Sequence, residues 1–343
     1  MSSPEETVSR PEETAANDSG NQKTRSNQRQ RNAWTRIAWY MLTPTLLAMT
    51  IALFARLHWT LDLATHFVVQ YALALLPPLV VGLCLRSKWV LGIGGAALIY
   101  NLVLIAPLYI PPGGEASRGE PLRFLLANVH TGNRDYPRLL ELVNKRQPDV
   151  FVLLETDNAW VQALAPLRQD YPHSVERPRG DNFGIVVFSR RPLEDVQVMQ
   201  LGESMVPTIV AKLRQDTDRQ LTLIATHPLP PTTAEYANTR NQHLAALAEL
   251  ANETAGPLIV LGDLNTTSWS PHFADLIAET GLRDTRRGFG VHGTWPLPYS
   301  VLSIPLDHVL VSEDVAVLQR QVGPEIGSDH RPVTLDVAIP VRE

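Results

Sequence analysis

Leu258-Ile259-Val260-Leu261-Gly262-Asp263-Leu264-Asn265 is the stretch on which the reading of the fold turns. Four apolar residues, mostly good strand formers, run into a glycine. A carboxylate and a carboxamide follow, two positions apart. On a strand, alternate side chains share a face, so Asp263 and Asn265 leave the sheet on the same side. Active sites of α/β sheets form at such strand ends. Taken alone, Gly-Asp-x-Asn is better read as an Asx-type turn closing a strand. The other strand ends in the chain shift that balance.

From Leu122 onward, short apolar runs alternate with amphipathic helical stretches. The pattern predicts strands over 122–127, 150–154, 184–188, 208–213, 221–226, 258–261, 306–311 and 333–338. It predicts helices over 136–146, 158–169, 233–252 and 271–280. Thr232 and Glu235 have capping-box spacing. Ser270-Pro271 supplies an N-cap and an N1 proline, and Gly281 a C-terminal stop. The strand exits are rich in Asn, Asp, Glu and His: Asn128, Glu155, His227, Asp263 with Asn265, Asp307-His308, and Ser328-Asp329-His330. Any one of them is explained by a cap or a solvated end. Six together are hard to attribute to capping.

The N-terminal part is different. Residues 1–33 are polar, with a basic second half (Lys23, Arg25, Arg29, Arg31), and read as a disordered tail flanking a membrane span. Residues 34–110 hold three apolar runs, Ile37–Ala55, Leu63–Leu85 and Trp89–Tyr109, each long enough to cross a bilayer. Tryptophans and Tyr109 lie near their ends, as interfacial aromatics do. The loop Arg86-Ser87-Lys88 is purely basic. The positive-inside rule therefore places the tail and that loop in the cytoplasm and the C-terminal domain on the outer face of the inner membrane. A Pro-Pro-Gly-Gly hinge within 111–120 links the last run to a domain over 121–343.

Charge and cysteine usage narrow the function. The net charge is −5, and residues 120–343 carry 28 Asp and Glu against 20 Lys and Arg. That is a poor footprint for sequence-independent binding to duplex DNA. Cys84 is the single cysteine, so no intrachain disulfide forms. Arg283, Arg286 and Arg287 form a local basic cluster, with a solvated face as the default reading and phosphate contact as the sharper one. Trp269 and Trp295 lie in segments expected to border a cleft. His58, His66 and His173 have no motif around them and read as structural or solvated.

The exits, in order and spacing, resemble the endonuclease/exonuclease/phosphatase family, the deoxyribonuclease I-like fold, in a membrane-anchored bacterial form. The resemblance rests on Asn128-Val129, Pro148-Asp149-Val150 leading to Glu155, Gly184 through Ser189-Arg190-Arg191-Pro192-Leu193, and Thr226-His227. It continues through Gly262-Asp263-Leu264-Asn265, Leu306-Asp307-His308 and Ser328-Asp329-His330-Arg331-Pro332-Val333. It implies an α/β fold, a four-layer sandwich of two mixed sheets flanked by helices, here preceded by three transmembrane helices. It also implies divalent-metal-dependent hydrolysis of phosphoester bonds.

By that resemblance Glu155 is the principal ligand of Mg²⁺, with Mn²⁺ as a substitute, and Asn128 and Asp329 stand beside it. Asp263 and Asn265 orient the attacking water and the phosphoryl group. His330 is a general base or a cation facing the transition state, and Asp307 fixes its ring. Asp263 competes with His330 for the base role. His227 hydrogen-bonds a phosphate oxygen. Asn182 and Arg190 are assigned to the substrate side or to a structural role, and His308 is expected to point away. The expected substrate is a phosphodiester or phosphate ester, lipid-linked or nucleic acid, with no obligate protein partner. A membrane tether favours an object at the bilayer surface. An extracytoplasmic nuclease is the alternative, and an inactive interaction module the non-enzyme reading.

Overall fold

The computed structural model describes residues 11–111, 119–214 and 220–339. By its internal contacts the chain divides into two units, residues 1–48 with 71–102, and residues 49–70 with 103–343.

The first unit is helical, made of most of α1 (Pro11–Ala52), α3 (Val68–Leu85) and α4 (Lys88–Ile105), while the four-residue α2 (Trp59–Asp62) belongs to the second. Two helical segments, Trp59–Leu85 and Lys88–Tyr109, are long and apolar enough to cross a membrane. The sequence predicts three. The first apolar run falls short because it is the end of α1, which stops at Ala52 before a separate turn at Ala55–Leu57. Residues 11–33, read as a disordered tail, are helical. They are rich in Glu, Gln, Arg and Ala, and a helix already formed by the following apolar run extends without a new nucleation cost. Residues 1–10, and most of the hinge at 112–118, lie outside the described residues.

In the second unit the strands are β1 (Pro121–Asn128), β2 (Val150–Leu154), β3 (His173–Arg177), β4 (Ile185–Ser189), β5 (Leu193–Met199) and β6 (Thr208–Leu213). Then come β7 (Leu221–Thr226), β8 (Leu258–Asp263), β9 (Arg283–Asp284), β10 (Asp307–Val311), β11 (Ala316–Val322) and β12 (Val333–Ala338). Between them run α5 (Tyr136–Arg146), α6 (Asn158–Ala163), α7 (Ala234–Glu253) and α8 (Pro271–Thr280). One sheet has the order β11-β12-β1-β2-β4-β3 and the other β5-β6-β7-β8-β10-β9. Both are mixed: β1–β2 and β7–β8 are parallel, and the remaining pairs are antiparallel.

Strands apolar on both faces need cover on both. On β1, Leu122, Phe124 and Leu126 enter a core shared by the two sheets, while Leu125 and Ala127 face the layer of α5 and α6. On β8, Ile259 and Leu261 face inward, while Leu258 and Val260 meet Leu244, Leu247 and Leu276 of α7 and α8. The result is the expected four-layer sandwich.

All eight predicted strands are present within two residues of their bounds, and the four the sequence reading missed are β3, β5, β9 and β11. Each is the outermost strand of its sheet. Edge strands carry charge on an exposed side, as Glu194 and Asp195 of β5 do, and so lose the apolar signature. The helix expected over 158–169 is α6 followed by a 3₁₀ turn at Ala165–Gln169, with Pro166 at its start. The cap of α7 is Thr233, whose hydroxyl accepts from the Tyr236 amide, rather than Thr232. Ser270 and Gly281 bound α8 as expected.

Gly262 shows why the opening stretch contains a glycine. It lies beside Thr226 in the parallel pair, and a Cβ there would stand 2.1 Å from the Thr226 carbonyl oxygen. Only glycine lets the ends of β7 and β8 close up. Gly262→Ala is therefore expected to destabilise the protein by about 1–3 kcal/mol or more. Chemical denaturation in detergent checks this, and an unchanged midpoint would contradict the packing described.

Candidate active site

Parallel neighbours end on the same side of a sheet, and the two sheets stack with those ends together. Asn128 closes β1, Glu155 follows β2, His227 follows β7 and Asp263 closes β8. Asp307 opens β10 directly opposite Asp263 in the antiparallel register. His330 stands shortly before β12, which pairs with β1. Side chains from six places in the chain thereby meet at one end of the sandwich. Four of them, Glu155, His227, Asp263 and His330, line a cleft of about 640 Å³ together with Asn182, Asn265 and Asp329, and Asn128 and Asp307 bond to Asp263 and His330.

Asp263 is the hub. Its Oδ2 accepts from Asn128 Nδ2 at 3.2 Å and lies 3.6 Å from both His227 Nε2 and His330 Nε2. Its Oδ1 accepts from the Asn265 amide at 3.0 Å. Burial alone would push this carboxyl up, but His330 and then His227 outweigh it and hold Asp263 below the usual carboxylate range. His330 Nδ1 donates to Asp307 Oδ2 at 2.8 Å. Burial disfavours charge on this ring too, yet Asp307 and Asp263 together raise it to about 10. The imidazolium is thus the resting form at neutral pH.

Glu155 takes an amide hydrogen from Asn128 at 2.8 Å, and its backbone carbonyl accepts from Thr131 Oγ1 at 3.0 Å. It adopts φ of +60°, as Asn265 (+49°) and Asn182 (+68°) adopt left-handed φ. Such backbone costs about 1–2 kcal/mol per non-glycine residue and clusters at functional sites. Asp329 lines the cleft, with one carboxylate oxygen accepting from Trp295 Nε1 at 3.0 Å. Asn265 Nδ2 donates to the Pro228 carbonyl at 2.9 Å and lies 3.3 Å from His227 Nε2.

A divalent ion fits this site in two ways. Asp263, Asp307 and His330 each offer a ligand atom within 4.8 Å of the others. Two of those atoms are already joined in the hydrogen bond between the His330 ring and Asp307. The half-buried Glu155 carboxylate, with the Asn128 carboxamide against it and Asp329 across the cleft, offers oxygens, which hard cations prefer. The chemistry of the donors favours this second set for Mg²⁺.

Some expectations need correction. Arg190 is not in the cleft: it bonds Gln147 and lies over the Tyr171 ring at 5.0 Å. The basic cluster is neither solvated as a whole nor a phosphate site. Arg286 is buried against Asp284, and Arg283 donates to carbonyls of Ser312, Glu313 and Val315. Trp295 borders the cleft, but Trp269 donates to the Leu104 carbonyl elsewhere. His308 does turn away, onto the Thr266 carbonyl and the Phe273 ring. His66, read as structural or solvated, lines the cleft and bonds Thr267 Oγ1 at 3.0 Å. The sequence reading also missed Phe183, Tyr236 and the Leu63–Phe67 stretch. The one signal for that stretch is Asp62, an acidic residue at the edge of an apolar run.

The model of the Endonuclease/Exonuclease/phosphatase family matches residues 125–330. The chain belongs to that family. No curated protein matches it. Among solved structures it is similar to an endonuclease/exonuclease/phosphatase from Beutenbergia cavernae (20% identity, TM-score 0.53, covering 64% of this chain and 72% of that one). It is also similar to D. rerio TDP2 complexed with single-strand DNA product (18%, 0.54, 64% and 99%). A third is the 3′ phosphatase NExo from Neisseria bound to a product DNA hairpin (22%, 0.53, 62% and 98%). At these identities the likeness speaks for the fold.

The His330–Asp307 pair makes a direct prediction. Because its pKa stands above the ordinary 6.5, the charged ring stabilises the fold fully below about pH 6.5, and this is lost as pH rises through about 10. NMR titration of labelled histidine is expected to show His330 still protonated at pH 8, and Asp307→Asn to bring its midpoint down sharply. Identical titrations in the two proteins would contradict the assignment.

Proposed function

We propose that the protein is a membrane-anchored, divalent-metal-dependent phosphoesterase. It hydrolyses a phosphodiester or phosphate ester, lipid-linked in the favoured case, at the outer face of the inner membrane. The observation that carries the reading of the substrate is the composition of the cleft. Acidic and carboxamide groups line it, Glu155, Asp181, Asn182, Asp263, Asn265 and Asp329, and no Lys or Arg lies among its described lining residues. A polynucleotide needs cations along several phosphates. One compact phosphoryl group needs an ion and a few hydrogen-bond donors. An extracytoplasmic nuclease remains the second reading, because the Neisseria and D. rerio relatives bind DNA products.

In this mechanism Glu155, Asn128 and Asp329 hold the ion, Mg²⁺ or Mn²⁺. When bound, it neutralises charge on the phosphate and polarises the phosphorus–oxygen bond. Asp263, kept ionised and fixed by the Asn265 amide, orients the attacking water and takes its proton. His330, charged and held by Asp307, faces the developing negative charge as a cation rather than as a base. Asn265 and His227 donate to phosphate oxygens, and Asn182 approaches the substrate from the opposite rim. Two apolar segments and the basic Arg86-Ser87-Lys88 turn between them support the membrane tether and its orientation.

Glu155→Ala is expected to lower Mg²⁺-dependent turnover at least about a hundredfold with the fold intact. Assays of the full chain on plasmid DNA, a phospholipid and a polyprenyl pyrophosphate measure this and separate the two readings. Unchanged activity would show the ligand assignment to be wrong, and preferential cleavage of plasmid would establish the nuclease. A reporter fused after Glu343 is expected to be active only outside the cytoplasm, and cytoplasmic activity would overturn the topology.

A further inference from the structure

Residues 49–70, which include the start of the second apolar run, belong to the same unit as the cleft. Counted by composition, the first of the two membrane segments begins at Trp59. Helix α3 alone, with 18 residues, is about 27 Å long, close to the thickness of a bilayer core. Residues 59–67 are therefore spare, and the structure uses them elsewhere.

Asp62 and Arg240 form an ion pair at 2.7 Å with each side chain only 1% exposed. Asp62 also accepts from Ser270 Oγ at 2.7 Å, and His66 bonds Thr267 Oγ1 at 3.0 Å. Arg240 donates in turn to the backbone carbonyl of Asn265 at 2.9 Å. Three attachments thus fix this stretch to the loop that follows Asp263. A buried pair loses heavily if one partner goes, so the stretch cannot swing away cheaply.

Held in that position, Leu63 and Phe67 face the cleft beside the catalytic groups, together with Trp295, Ile304 and Leu306. Phe67 is 37% exposed and lines the cleft, so part of its ring is open to a ligand there. It is joined directly to the first residue of α3. An apolar wall within a phosphoester site, with no Lys or Arg among the described lining residues, suits a substrate whose phosphate carries an aliphatic chain.

We propose that Leu63 and Phe67 are specificity-determining residues, forming the binding surface for the apolar chain of a single-phosphate amphiphile. Asp62, through Ser270 and Arg240, is the positioning residue that keeps that surface against the catalytic loop. This rests on the phosphoesterase reading for the identity of the polar half of the ligand, but its test does not require turnover.

The test measures binding of alkylphosphonates, which are not hydrolysed, to the full chain in nanodiscs with Mg²⁺ present. The expected gain is about fourfold per methylene that becomes buried. Hexylphosphonate is therefore expected to bind at least tenfold more tightly than methylphosphonate. In Leu63→Asn/Phe67→Asn that preference is expected to fall below threefold, with methylphosphonate affinity unchanged as the sign of an intact site. Equal affinities in the wild-type protein, or binding of neither compound, would overturn the proposal whether or not the variant folds. So would a variant that keeps the full chain-length preference. A chain-length preference without hydrolysis of any phosphoester would leave this inference standing and remove the enzymatic reading instead.

Discussion

One buried carboxylate holds the site together. Asp263 is in contact with Asn128 from the first sheet, with His330 on the approach to that sheet's β12, and with His227 and Asn265 from the second. A carboxylate this deeply buried is costly unless several donors surround it. The donors come from both sheets, so the stacking of the sandwich and the order of the groups around Asp263 are the same fact. The missing Cβ at Gly262 makes this possible, since β7 and β8 could not otherwise close at their ends.

Charge at the site is arranged by mutual dependence. His330 is charged because Asp307 and Asp263 face it, and Asp263 stays ionised because His330 and His227 face it. Elsewhere in the same unit, buried histidines go the other way, at His308 because Arg286 offsets the pull of Asp284. Burial pushes His243 and His308 down to about 3, and they act as neutral hydrogen-bonding members of the core. The contrast shows that burial alone does not set the state of a histidine, and that the two carboxylates decide it at His330.

Much of this was legible in the sequence, and the limits were physical. Central strands are apolar on both faces, so their ends, and with them Asn128, Glu155, His227, Asp263 and His330, could be read from runs of Val, Ile and Leu. The edge strands β3, β5, β9 and β11 could not: β3, β5 and β11 carry polar or charged residues on their open sides, and β9 is only two residues long. Arg190 was left between a substrate-side and a structural role, because a motif in sequence says nothing of the direction a long side chain takes; Gln147 and Tyr171 hold it in the structural one. Leu63 and Phe67 were hidden for another reason. In an apolar run, a residue that faces a cleft and one that faces lipid look alike, and only the buried Asp62–Arg240 pair distinguishes them.

The proposed mechanism requires a divalent ion held by oxygens at the Glu155 side of the cleft. Anomalous diffraction from crystals grown with Mn²⁺ tests it most directly. One peak is predicted within about 2.0–2.3 Å of a Glu155 carboxylate oxygen, with the His330–Asp307 hydrogen bond intact. A peak ligated by Asp307 and His330, with Glu155 unengaged, would contradict it.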